Sequence, residues 1–233
     1  MGRWRALGAW AEALGVDVAA LERPGVHVVE RTGATTDTGA DAVVVLVVGD
    51  SCIVACPPDL VGAVRALPLA DLLAAERLAE LLPVPAHPLG TATLAFIDAP
   101  PPAPPHAARR ATPDDVEEVR TRVGPDEWDE SGLADLTERW AVPGPDGCAV
   151  ALAGFSPWRE HVAQLGVVAV PEVRGRGYAR SAATAAVTHA LAEGLVVQWR
   201  SSIGNTTSAR LGAALGCVPI GRQSAVLLGV DAG

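Results

Sequence analysis

The amino-acid sequence predicts a mixed α/β fold, with an α+β mixed sheet, and three features carry that expectation. Short β-branched runs, as at 42–48 and 162–170, read as strands covered on both faces. Between them lie stretches with apolar residues at helical spacing, as at 3–14, 69–82 and 178–193. The run APPPAPPHAARR carries five prolines between Pro100 and Pro105, which favour extended polyproline II and divide the chain. The expected organisation is an N-terminal α+β domain over 1–99, a Pro-rich linker over 100–107 and a second domain over 108–233.

Composition narrows the function classes. At 233 residues there is ample chain for a core, although aromatics are only 4% and Ala, Val and Leu must fill it. The net charge of −9 argues against a nucleic-acid partner, which calls for a basic face. All 18 basic residues are Arg. Of the four cysteines, Cys52 and Cys56 form a lone C-x-x-x-C within a strand pattern, followed by Pro57 and Pro58 and without a His-rich partner motif. They read as small buried hydrophobes, and no metal is expected. No apolar run reaches the roughly 18 residues of a membrane span, and no h-region opens the chain. The expectation is a soluble, cytoplasmic protein without a membrane partner.

In the first half, Trp4, Leu7, Trp10, Ala11 and Leu14 give an amphipathic helix over 3–14, ended near Gly15. A strand is expected over 26–30. The runs 42–48 and 52–55 flank Gly49-Asp50-Ser51, a hairpin with a three-residue loop. Helices are expected over 57–67, with Pro early where its missing N–H costs least, and over 69–82. A strand over 91–97 closes the half. Its isolated His27 and His87 read as structural or surface residues.

In the second half, Thr112 is an N-cap, with Pro113 at the first helical position and Asp114 and Asp115 in the first turn. That helix continues over 116–123 and Gly124-Pro125 stops it. A helix is expected over 128–140, a turn at PGPDG, a strand over 148–155 with Ser156-Pro157-Trp158 leading out, and a strand over 162–170. After 178–193, a helix ended by Gly194, come a strand over 195–200, a helix over 206–215 and closing strands over 218–228.

The stretch HVAQLGVVAVPEVRGRGYA, 161–179, carries the chemistry. Pro171 ends the strand because it has no N–H to donate. Gly175 and Gly177 lack Cβ, so their loop can close backbone N–H groups on an oxyanion. The following helix adds unpaired N–H groups and the positive end of its dipole. Arg174, Arg176 and Arg180 add positive charge suited to phosphate. Together these parts make a pyrophosphate cradle.

RGRGYA resembles the Arg/Gln-x-x-Gly-x-Gly/Ala loop of the GNAT (GCN5-related) N-acetyltransferases, which bind acetyl-CoA. NTTSARLGAALGC, 205–217, resembles the same family's Asn-x-x-Ala…Gly-Phe helix, and the resemblance spans 108–229 in order. It implies a GNAT acyl-CoA N-acyltransferase fold, with 1–99 an appended α+β domain open to reading as a degenerate half-copy. It implies acetyl-CoA as cosubstrate, an amine acceptor as partner, and room for a homodimer. The implied CoA contacts are Val168, Val170, Arg174, Gly175, Arg176, Gly177, Tyr178, Ala179, Arg180, Asn205 and Ser208. Asn205 also reads as a plain N-cap.

The implied reaction is direct attack of a neutral amine on the thioester. A base takes the amine proton, and a backbone N–H of the fourth strand, at Val168 or Val170, polarises the carbonyl. Two positions depart from the family. The usual acidic Tyr is Gly212, and a frequent catalytic Glu is Gln164. Base candidates are Glu127, Asp129, Glu130, Glu160 and His161, with Glu130 preferred as the catalytic residue. Trp128, Trp158 and Trp199 are candidates to wall an acceptor pocket. A second reading stands beside the enzyme: a non-catalytic acyl-CoA-binding or regulatory module.

Overall fold

A computed structural model describes residues 2–31, 41–136 and 138–229. The outer ends of both predicted domains, with 32–40 and Thr137, lie outside the described residues. The chain divides into two compact units. The first takes in Phe96–Trp199 and Thr207–Val218 with the start of the N-terminal helix; the second takes in Ala6–Ala95, Arg200–Thr206 and the chain from Pro219 on.

In the second unit, helix α1 (Gly2–Leu14) runs to Gly15 at φ 71°, as its apolar stripe predicts. Strands β1 (Gly25–Glu30), β2 (Ala42–Val48) and β3 (Ser51–Cys56) follow. The β2–β3 hairpin closes on two residues, not three: Ser51 pairs with Val48, leaving Gly49, at φ 57°, and Asp50 to turn. Pro58–Leu60 forms a 3₁₀ turn that runs into α2 (Val61–Arg65). The single helix expected over 69–82 is two, α3 (Leu69–Leu72) and α4 (Ala75–Leu81). The break at Leu73-Ala74 lets Leu72, Ala75 and Leu78 all reach the core beside Val54, Cys56 and Leu60. Strand β4 (Ala86–Ile97) is longer than expected. The order of this sheet is β1-β3-β2-β10-β4, with β1 parallel to β3 and β10 (Val218–Leu228) antiparallel to β2. The closing strands expected at the end of the second half are therefore one strand, and it pairs with the first half's hairpin. Gly221 permits this, because a Cβ there would collide with the Val47 carbonyl.

In the first unit, β5 (Arg109–Arg110) leads to α5 (Pro113–Arg120). The Thr112 cap is a full capping box, with Asp115 as its reciprocal partner. Asp115 is buried and also receives two hydrogen bonds from the Arg109 guanidinium. Burial alone pushes its carboxyl pKa up, but the bonds from Arg109 and Thr112 outweigh it and hold the group below its ordinary value. Helix α6 (Pro125–Ser131) stops at Gly132, at φ 65°. The helix expected over 128–140 is thus cut short, and Trp140 lies in strand β6 (Glu138–Pro143).

Strand β7 (Ala149–Trp158) extends through Pro157, expected outside it. Pro157 stands opposite Ala163 at a position where the ladder requires no N–H. Strand β8 (Val162–Ala169), helix α7 (Tyr178–Ala192) and strand β9 (Val196–Ser202) form a parallel βαβ unit, followed by α8 (Thr206–Leu215). The strand order is β9-β8-β7-β6-β5. Gly166 lets α6 lie against β8: a Cβ there would collide with the Ser131 carbonyl. No helix among the described residues is long and apolar enough to cross a membrane.

Candidate functional site

Strand β8 pairs with β9 from Val162↔Val196 to Gln164↔Gln198, then continues to Ala169 paired with β7 but not with β9. Its amides beyond Gln164 on the β9 side therefore face a gap. Which amides these are follows from the ladder. The Val170 N–H donates to the Val150 carbonyl at 3.0 Å. Alternate residues of an antiparallel strand bond the same neighbour, so Val168, opposite Leu152, also points its N–H at β7. Two facts support this parity. Pro157 can stand opposite Ala163 only where no N–H is needed, and the odd-numbered His161 carbonyl accepts from Val196 of β9 at 2.9 Å. The expectation that the Val168 or Val170 amide is exposed in the splay is corrected: those two are spent on β7, and Val167 and Ala169 face the gap. A sequence does not reveal this, because parity depends on which neighbour holds which residue.

Past β8, Pro171–Val173 forms a 3₁₀ turn that consumes two loop amides: Arg174 N–H bonds Pro171 O, and Arg176 N–H bonds Val173 O. Gly175 and Gly177 then take φ of 76° and 87°, a region that favours glycine. The Cβ direction of Gly175 opens onto empty space. Helix α7 starts at Tyr178, so the N–H groups of Tyr178, Ala179 and Arg180 have no intrahelical acceptor. The Nε of Arg180 is buried, with no hydrogen-bond partner among the described residues. These donors and the helix dipole fit an anion of pyrophosphate size.

The arginines divide. Arg174 gives Nη2 to Glu127 of α6 at 2.5 Å and Nε to the Ala169 carbonyl at 3.3 Å, so it ties α6 to the end of β8. Arg176 is exposed. Glu127, one of the base candidates, is thereby ion-paired. Glu130 lies on the last turn of α6 and is exposed. Glu160 and His161 lie at the β7–β8 turn, where Arg159 and Glu160 take φ of 50° and 60°.

The Pro-rich stretch is anchored at its end, a feature that sequence reasoning missed. The His106 ring stacks on Tyr178, centroids 3.9 Å apart and 11° from parallel. Its Nε2 lies 2.9 Å from the Arg176 carbonyl, and its backbone N–H donates to Ser181 Oγ at 3.1 Å. A Cβ on Gly177 would meet Pro105 Cγ at 2.7 Å. The one available signal was a lone His placed after a proline run.

Trp199 of β9 explains the missing side chain at Gly212 of α8. The buried indole crowds the place a Cβ would take, its atoms 3.0–3.2 Å from that point, and its Nε1–H donates to Ser208 Oγ at 3.2 Å. Trp128 is likewise buried, and Trp158 is half-buried. Asn205 belongs to the other unit, where its N–H bonds the Ser202 carbonyl. Burial pushes the thiols of Cys52 and Cys56 to about 11 and that of Cys217 to about 12, so none is poised as a nucleophile.

A family model described as an acetyltransferase (GNAT) domain matches residues 98–218, about half of the chain. The chain belongs to the GNAT acetyltransferase family. Among solved structures, the fold is similar to that of a protein assigned to the GNAT family from Novosphingobium aromaticivorans. That match has 23% identity and a TM-score of 0.52, covering 64% of this chain and 70% of that one. A Drosophila protein matches at 17% identity and TM-score 0.50, over 67% of this chain and 58% of that one. A GCN5-related N-acetyltransferase from Kribbella flavida matches at 18% identity and TM-score 0.48, over 67% and 64%. The matched region is thus only 58–70% of the length of these three structures. A search of curated proteins finds no match. The matched residues include β8 and the RGRGYA loop that follows it.

Proposed function

We propose that this GNAT protein is an acetyl-CoA-dependent N-acetyltransferase that moves the acetyl group to an amine, a small molecule or a peptide N-terminus. One observation carries the reading: a splayed strand delivers unpaired amides into a loop with two positive-φ glycines, which opens a 15-residue helix. The Gly175, Gly177, Tyr178, Ala179 and Arg180 backbone N–H groups would hold the pyrophosphate, with Arg180 adding charge. The Val167 or Ala169 amide would receive the thioester oxygen as negative charge develops on it. The amine nitrogen attacks the carbonyl carbon, the C–S bond breaks, and the amine proton leaves to a base, for which Glu130 is the first residue to test.

The second reading, an acyl-CoA-binding or regulatory module, is favoured by two positions. Trp199 fills the space beside Gly212, and Gln164 carries an amide that cannot take a proton.

Calorimetric titration with acetyl-CoA and with CoA tests the cradle. Micromolar binding is expected, and absence of binding in folded protein sinks both readings. A screen of amines for thiol release then separates them. Turnover lost in Glu130→Gln supports the enzyme, and CoA binding with no turnover on any amine supports the module.

A further inference from the structure

We propose that His106, at the end of the Pro-rich strap, is a positioning residue that aims two amides of the anion-binding loop. The inference rests on the CoA reading of that loop. A carbonyl oxygen can only accept, so the 2.9 Å contact with Arg176 O requires that His106 Nε2 carry the proton and donate it. The Arg176 carbonyl and the Gly177 N–H belong to one planar trans peptide, so they point in opposite directions. Holding the carbonyl on His106 turns the Gly177 N–H away from the strap.

The next peptide is held in the same way. The Gly177 carbonyl accepts from both Ser181 N–H and Ser181 Oγ, each at 3.0 Å. Ser181 is fully buried, and its Oγ in turn accepts the His106 backbone N–H at 3.1 Å. The Tyr178 N–H therefore points out of the helix start, away from that carbonyl. Gly177 at φ 87° is the joint between these two planes. Glycine populates many conformations, and each added tie removes some of that freedom. Stacking of His106 on Tyr178, and Pro105 standing where a Gly177 side chain would go, close the same joint from outside. A run of prolines suits this task, because its extended form is stiff before it docks.

Two substitutions separate the hydrogen bond from the stack. His106→Phe keeps a ring on Tyr178 but has no donor for the Arg176 carbonyl; His106→Gln keeps an N–H donor and loses the stack. CoA affinity is measured by calorimetry, and pantetheine, which lacks the pyrophosphate, is titrated by NMR at millimolar concentration. H106F is expected to weaken CoA about tenfold and leave pantetheine unchanged, while H106Q stays within about threefold of the parent protein. Equal CoA affinity in H106F and parent overturns the inference alone. Parallel loss of CoA and pantetheine also overturns it, since the effect is then on the whole fold. If H106F does not fold, Ser181→Ala gives the same test at the second peptide plane. Parent protein that binds neither ligand overturns the proposed function, and this inference with it.

Discussion

Two segments begin alike and end differently. Strand β3 in one unit and strand β8 in the other are buried runs broken by proline, each followed by a 3₁₀ turn with Pro in its first positions. After β3, the turn passes straight into α2. The Leu60 N–H is already spent on Pro57 O, and Val61 and Val64 go into the core. After β8, Gly175 and Gly177 detach the helix from the turn, so the start of α7 stays open. Under the proposed function, a helix N-terminus alone would not make an anion site. What separates the two is a pair of residues that can take positive φ, and a strap that holds them there.

The largest expected effect breaks that difference directly. Gly177→Glu places a Cβ against Pro105 and a carboxylate beside the cradle, and should cost CoA at least about 100-fold in affinity. Unchanged affinity in the folded variant would remove the loop from the site. On the other side of the comparison, Leu78→Ala empties a fully buried position of the β3 unit. It should lower stability by about 2–5 kcal/mol in urea denaturation.

A smaller effect concerns the first unit's entry. The Asp115 pKa is depressed in the folded protein, so its contribution is complete above its unfolded value near 4 and is lost as pH falls through the folded value. Asp115→Asn should cost about 2 kcal/mol at pH 7 and flatten stability against pH below 4. A slope identical to the parent's would show that Arg109 and Thr112 do not hold the carboxylate. Next, native-state alkylation at pH 8 should leave Cys52 and Cys56 unlabelled until the β3 unit opens, because burial keeps them protonated. Labelling at the rate of a free thiol would contradict that packing. The smallest change is Glu160→Gly, which relieves a φ of 60° at the β7–β8 turn. It should raise stability by about 1 kcal/mol, read as a shift in urea midpoint.

Sequence patterns alone specified the helix over 206–215, the Thr112 cap, the start of α7 at Tyr178 and the glycines of the loop. Each of these depends on neighbours within a few positions: a side-chain oxygen before a turn, a missing Cβ, a proline without its N–H. Local sequence also placed β8 and its Pro171 stop. Tertiary structure decided the rest. It alone determined that Val167 and Ala169, and not Val168 and Val170, face the gap, because amide direction follows from which strand bonds which side. Long-range pairing set β10 against β2, and Trp199 occupied the space that Gly212 leaves. The docking of His106 on Tyr178 joins residues 72 positions apart, a contact that no local pattern encodes.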